Sequence, residues 1–108
     1  MKIIRLKDVE TTITPIGFAA KFAVDERSAE VINLMLEPGQ VVSQHEATVD
    51  TLFYVVEGKG SIESGDQVEA VRPTDMVVSY AGSPRGLRAA SDSGLSVLII
   101  KTPNPKHI

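Results

Sequence analysis

Few side chains in this 108-residue sequence are suited to bond-making chemistry. It contains two histidines, His45 and His107, and no cysteine. Histidine takes up and releases protons near neutral pH, so His45 is the candidate general base if the protein is catalytic. The absence of cysteine excludes disulfide scaffolds, zinc ribbons, thiol nucleophiles and iron–sulfur sites. His107 lies one residue from the C-terminus, where we expect the chain to fray.

The charge balance excludes further classes of partner. Eleven Lys and Arg against 14 Asp and Glu give a formal charge of −3. Nucleic-acid binding depends on a surplus of basic residues, so we expect no nucleic-acid partner. The longest dense apolar run, at 95–100, is far shorter than the roughly 18 residues that cross a bilayer. The N-terminus lacks the apolar core of a secretory signal. We therefore expect a cytoplasmic protein with no membrane partner.

The elements that must position these side chains are predicted to be strands. The sequence has 13 Val, 9 Ile and 7 Thr, against 7 Leu and 9 Ala, and β-branched residues favour a pleated surface over a helix. Turn signals rich in Gly, Pro, Asp and Ser recur at intervals of about 8–12 residues, which is typical of an all-β sandwich or barrel. Together these signals predict ten strands, at 2–6, 18–24, 30–36, 41–44, 52–57, 60–63, 67–71, 76–80, 86–90 and 95–101.

Two segments carry a family resemblance. The segment 38–60, PGQVVSQHEATVDTLFYVVEGKG, resembles the first signature motif of the cupin superfamily, with Gly39 and Gly58 on its two glycines and His45 on its first histidine. The segment 72–89, RPTDMVVSYAGSPRGLRA, resembles the second motif, which Asp75 and Gly82 match. The chain is thus similar to the small single-domain cupins of the cupin 2 type.

This resemblance implies an all-β fold, a double-stranded β-helix or jelly-roll barrel of two antiparallel sheets. It implies one domain over 1–108, with N-terminal strands at 1–25, the barrel at 26–102 and a tail at 103–108. Several predicted strands are apolar on both faces, so an outer face has to be covered. The resemblance accordingly implies a homodimer, with the N-terminal strands at the contact.

The metal-binding positions of the family are mostly lost. Cupins typically bind a metal through two histidines and a carboxylate of the first motif and a histidine of the second. Carried over, these positions fall on His45, Ala47, Thr51 and Arg85, so one ligand of four remains. Alanine donates nothing, and a guanidinium has no lone pair and repels a cation. We therefore expect no cofactor; iron, manganese, nickel or zinc held by a rebuilt site that uses Asp50 is the alternative.

The interior of the barrel, which we call the lumen, is predicted to bind a small molecule instead of a metal. A guanidinium presents a fork of donors that suits a carboxylate or phosphate, so Arg85 and His45 are predicted to capture a small acidic or polar ligand. An outward-facing Arg85 and a His45 that only packs are the structural alternatives. The predicted ligand-binding residues are His45, Thr51, Arg85, Tyr80, Met35 and Phe53.

The second class of function is an enzyme. It would be a metal-dependent oxygenase or isomerase with an incomplete site, or a metal-independent isomerase or epimerase in which His45 is the base. The sequence offers no evident second acid or base, and Tyr80 or Glu57 would have to serve.

Overall fold

Two antiparallel β-sheets face each other in the computed structural model, which describes residues 1–107. Their strands alternate apolar inward and mixed outward residues, as the period of two requires. The ten strands are β1 (Thr12–Ile13), β2 (Ala19–Glu26), β3 (Ala29–Leu36), β4 (Val41–His45), β5 (Asp50–Gly58), β6 (Gly60–Ser64), β7 (Gln67–Val71), β8 (Met76–Ser79), β9 (Arg85–Ala89) and β10 (Leu95–Thr102). The all-β prediction is confirmed.

The strand order crosses between the two sheets. One sheet has six strands in the order β1-β2-β3-β10-β5-β8, and the other has four in the order β4-β9-β6-β7. The chain therefore passes back and forth between the sheets, and the inner faces of both contribute to one core. That core includes Leu34, Phe53, Val55, Leu87 and Val97, all nearly inaccessible to solvent.

The N-terminal part of the strand prediction is wrong. Residues 1–5 form no strand, and Leu6–Asp8 form a short 3-10 turn. The short strand β1 already pairs with β2 at that edge of the sheet, at Thr12↔Ala20 and Ile13↔Ala19. Ile3 remains 63% exposed, because these residues add no side chain to the core. The other nine predicted strands are confirmed, one with the predicted bounds (67–71) and eight with ends shifted by one or two residues.

The C-terminal segment is anchored where we expected fraying. Pro105–His107 form a 3-10 turn, and Asn104 before it is fully buried. Asn104 Nδ2 donates to Asp25 Oδ1 at 2.6 Å, and His107 Nε2 lies 3.0 Å from the same oxygen. The hydrogen bonds from Asn104 and then His107 lower the pKa of the Asp25 carboxyl. The expectation for His107 is therefore wrong, while Ile108 lies outside the described residues.

The outer face of the six-stranded sheet is also apolar. Met76 is 72% and Val78 50% exposed there, and Leu98 and Ile100 are half-buried. Such a face suits contact with another surface. The homodimer and its N-terminal contact stay predictions. Between residues 1 and 107, no helix has the length and apolar character needed to span a membrane.

The core predicts the stability difference between two phenylalanine variants. Phe53 is 1% exposed inside the barrel, whereas Phe22 is 51% exposed on β2. Phe53→Ala should lower the free energy of unfolding by about 3–5 kcal/mol, because it removes buried surface and leaves a cavity. Phe22→Ala should cost about 1 kcal/mol or less. Urea denaturation of both variants checks this, and equal losses would contradict the described core.

Candidate functional site

Strand register brings four polar side chains together at one end of the barrel. On the six-stranded sheet Lys101 pairs with Thr51, and on the four-stranded sheet Arg85 pairs with His45. All four line the same internal cavity, and we call them the polar layer. Thr51 and Arg85 are buried, Lys101 is partly buried and His45 is exposed.

A bulge in β4 brings His45 to this cavity. Val42 also lines the cavity, three residues earlier, so a regular strand would point the two side chains to opposite faces. The pairing with β9 shifts register between Val42 and His45, and Gly86 stands opposite the extra residue. A Cβ on Gly86 would lie 2.6 Å from the Val42 carbonyl oxygen, which is closer than any side chain permits. Gly86 therefore makes room for the bulge, and the bulge re-aims His45.

Arg85 points inward and is 2% exposed. Nε donates to the Ser83 carbonyl at 3.2 Å. Nη1 donates to the Val49 carbonyl at 3.3 Å and to Thr51 Oγ1. Nη2 donates to the carbonyls of Tyr80 at 2.8 Å and Ser83 at 3.0 Å. A guanidinium has five N–H donors, so every donor is used. The bidentate capture of a ligand that the sequence suggested would require these internal bonds to break.

The charge of Arg85 has no direct counter-ion in the described part of the chain. All its hydrogen-bond acceptors are uncharged oxygens, and no carboxylate of residues 1–107 lies within 4.0 Å of the guanidinium. Burial lowers the pKa of Arg85, and the nearby Asp50 carboxylate partly offsets this. Arginine nevertheless stays protonated in proteins. The polar layer therefore holds a positive charge in a poorly solvated place.

The cavity below the polar layer is small and apolar. Its volume is about 60 Å³, about twice the share of one water molecule in the liquid. Its walls are the next inward residues of the two sheets, which we call the apolar layer: Ile32, Leu34, Val42, Phe53, Leu87 and Ile99. Val42 and His45 also border a surface groove of about 570 Å³ beside Ile16 and Phe18. His45 thus stands between the lumen and the surface.

Two predicted site residues lie elsewhere. Met35 follows Leu34 on β3 and points to the opposite face, beside Glu57 and Ser96. Tyr80 follows β8, is 67% exposed and borders a surface groove, although its carbonyl accepts from Arg85. The expectation that Met35 faces the lumen is therefore wrong, and the side chain of Tyr80, predicted to contact the ligand, lies outside the lumen. His45, Thr51, Arg85 and Phe53 do line the cavity.

Sequence reasoning missed Lys101. The period of two along β10 puts Leu95, Val97 and Ile99 on one face, and Lys101 continues it. Because Lys101 pairs with the inward Thr51, it points into the barrel. The alternation on β10 was the available signal.

The residues present do not form a transition-metal site. A first-row ion needs about three protein donors that are neutral or anionic. Among residues 1–107 no group of three His, Asp or Glu side chains converges. Ala47 supplies no donor, and the Thr51 hydroxyl already accepts from Arg85. The guanidinium of Arg85, on the strand residue paired with His45, adds a repelling charge. Asp50 instead accepts from the Ala81 backbone N–H at 2.9 Å.

A larger concavity contains none of these residues. It measures about 640 Å³ on the outer face of the four-stranded sheet, beside Lys59, Ser61, Arg72 and Arg88. It is open to solvent and remote from the polar layer, so the smaller lumen remains the candidate site.

Comparison with known proteins connects this geometry to a family. Residues 33–101 match the family model described as the cupin domain. Over 66 residues the chain is 29% identical to 5-nitrosalicylic acid 1,2-dioxygenase of a Bradyrhizobium species, covering 61% of this chain and 32% of that enzyme. The chain therefore spans about a third of the length of this curated relative.

Solved structures share the fold. The TT1209 protein of Thermus thermophilus superposes with a TM-score of 0.82 at 25% identity, covering 97% of this chain and all of that one. A Klebsiella pneumoniae protein with a double-stranded β-helix domain gives a TM-score of 0.83 at 13% identity, covering 97% and 92% of the two chains. The predicted double-stranded β-helix, or jelly roll, is confirmed.

The buried guanidinium predicts a large difference between two arginines of β9. Arg85→Ala should lower the free energy of unfolding by at least about 3 kcal/mol, because three carbonyls and a hydroxyl lose their donor. Arg88 is exposed on the same strand, and Arg88→Ala should change it by about 0.5 kcal/mol or less. Urea denaturation measures both. A mild effect of Arg85→Ala would show that the network contributes little.

Proposed function

The chain belongs to the cupin domain family, and from that premise we propose that it binds a small anionic molecule in the lumen of its barrel without a metal ion. The observation that carries the proposal is the buried Arg85, whose charge is met only by uncharged oxygens within hydrogen-bond distance. Burying an ion costs several kcal/mol unless an opposite charge balances it. An anion in the lumen would supply that balance.

The other polar-layer residues support the same ligand charge. Lys101 adds a second cation to the lining of the cavity. His45, at the exposed end of the cavity, can donate from Nε2 to an anion when its imidazole is protonated. Electrostatic attraction is stronger in a poorly solvated cavity than in water. A positively charged lumen also disfavours a metal cation, which supports a metal-independent role.

The cavity volume limits the ligand. About 60 Å³ holds roughly two water molecules, so a molecule of a few non-hydrogen atoms fits without side-chain movement. A larger ligand would extend past His45 into the adjoining groove. We do not extend the dioxygenase activity of one relative to this chain, which covers only 32% of that enzyme at 29% identity.

A matched pair of ligands and a matched pair of variants test this function. Acetate should raise the unfolding temperature by an amount that grows with the logarithm of its concentration above the Kd, since it binds the folded state alone. Acetamide has the same shape without the charge and should have little effect. The effects of acetate and acetamide are measured by thermal unfolding at constant ionic strength. Their binding is measured directly by NMR titration.

Filling the lumen provides the control. Val42→Phe places a larger side chain in the cavity and should abolish the acetate effect. Val68→Phe makes the same change at a position 59% exposed on β7 and should leave the effect intact. Equal responses to acetate and acetamide in the parent protein, or full binding by Val42→Phe, would refute lumen binding of an anion.

A second candidate function is proton transfer by His45. Its Nδ1 lies 3.3 Å from the Ser43 carbonyl oxygen, which favours the proton on that nitrogen. Nε2 then carries the lone pair and could remove a proton from a carbon beside a carbonyl group. The balancing product is an enolate, which the positive charge of the polar layer would stabilise.

Solvent exchange tests this second function. Pyruvate incubated with the protein in deuterium oxide should gain deuterium in its methyl group faster than in buffer alone. His45→Gln should remove the acceleration, whereas Gln44→Ala, at the neighbouring exposed position, should retain it. Exchange at the buffer rate, or exchange that survives His45→Gln, would contradict a catalytic His45.

A further inference from the structure

We propose that Lys101, rather than Arg85, makes the direct contact with the anion, and that the ligand is a small carboxylate with a short apolar part. The inference rests on the proposed binding function and names the residue and ligand class of that site. It starts from the donors that the polar layer has left to offer.

Arg85 has no donor to spare. Each of its five N–H groups already bonds to an oxygen of Ser83, Val49, Thr51 or Tyr80. A ligand that took two of these donors would leave buried carbonyls unpaired, which costs about as much as the new bonds gain. Arg85 therefore contributes its charge and not its hydrogen bonds.

Lys101 has free donors. Its Nζ lies 3.8 Å from Glu30 Oε1, which is too far for a hydrogen bond. No other carboxylate of residues 1–107 lies within 4.0 Å of it. The side chain is only 24% exposed and lines the cavity. The ammonium group can therefore meet a ligand without first breaking an internal hydrogen bond.

Glu30 does not need Lys101. The Glu30 side chain is 7% exposed, so its charge requires a partner. Lys106 supplies it from the C-terminal turn, with Nζ 2.8 Å from Oε2. This contact raises the pKa of Lys106 and keeps it charged. Glu30 therefore makes its hydrogen-bonded ion pair with Lys106 and only a longer one with Lys101, whose N–H donors remain available to the lumen.

Thr51 completes the contact. It stands directly opposite Lys101 on β5, a position where side chains are about 5 Å apart. Its hydroxyl oxygen accepts from Arg85, and its own proton is left to donate. Donation from the charged guanidinium polarises the hydroxyl and strengthens it as a donor. One carboxylate oxygen can thus meet Lys101 and the other Thr51.

The apolar layer favours a carboxylate with an apolar part over an inorganic oxyanion. Ile32, Phe53, Leu87 and Ile99 line the cavity on the inner side of the polar residues. They offer no donors to a third or fourth oxygen, and burying an unpaired oxygen is costly. A methyl or ethyl group fits there. Acetate or propionate therefore suits the site better than nitrate.

The test measures acetate affinity by NMR titration in Lys101 variants. Lys101→Met keeps the length of the side chain and removes the charge, and it should weaken binding at least about tenfold, as for loss of a hydrogen bond to a charged group. Lys101→Arg restores a cation and should bind within about threefold of the parent protein. Lys59→Met, at an exposed lysine paired with Asp92, should bind like the parent. Nitrate should bind several-fold more weakly than acetate.

A measurement on the unmodified protein covers the case in which Lys101→Met fails to fold. The ¹⁵N ammonium resonance of Lys101 should shift as acetate is added, while that of Lys59 stays in place. Parent-like binding by Lys101→Met, or an unmoved Lys101 resonance with acetate bound, would overturn the role of Lys101 and leave lumen binding standing. Nitrate that binds as tightly as acetate would overturn the ligand class. If acetate binds no better than acetamide, the proposed function itself fails.

Discussion

The burial of one guanidinium organises this end of the barrel. Arg85 is 2% exposed and gives all five donors to oxygens of β5 and of the two loops that precede β5 and β9. The guanidinium thereby ties β9 to β5 and to these two loops, through three carbonyls and a hydroxyl that would not bind a transition metal well.

This arrangement separates two properties of arginine. Its hydrogen bonds are used within the protein, whereas its charge still acts on the lumen. Hydrogen bonds to a ligand in the cavity are then donated by neighbouring groups with free donors, namely Lys101 and the Thr51 hydroxyl. Arg85 therefore supplies charge to the lumen, whereas Lys101 and Thr51 supply the hydrogen bonds to the ligand, although all three belong to the polar layer.

Much of the fold could be predicted from the sequence because it follows from local patterns. The resemblance to the first cupin motif implied that Thr51 and Phe53 face the lumen, and the period of two along β5 points both of them inward. Met35 was assigned to the wrong face, since β3 is apolar on both sides and hydropathy cannot distinguish them. The prediction of a strand at 2–6 was wrong, because β1 already pairs with the edge of β2.

The sequence by itself determined the all-β class, the family and the loss of the metal ligands, because each depends on residue type and spacing along the chain. Only the tertiary structure decided how the remaining polar groups are used. Whether Arg85 has a donor to spare depends on carbonyls up to 36 residues away. Whether Lys101 is free depends on Lys106 reaching Glu30. Such pairings are made by packing across the two sheets, and no local pattern of residues encodes them.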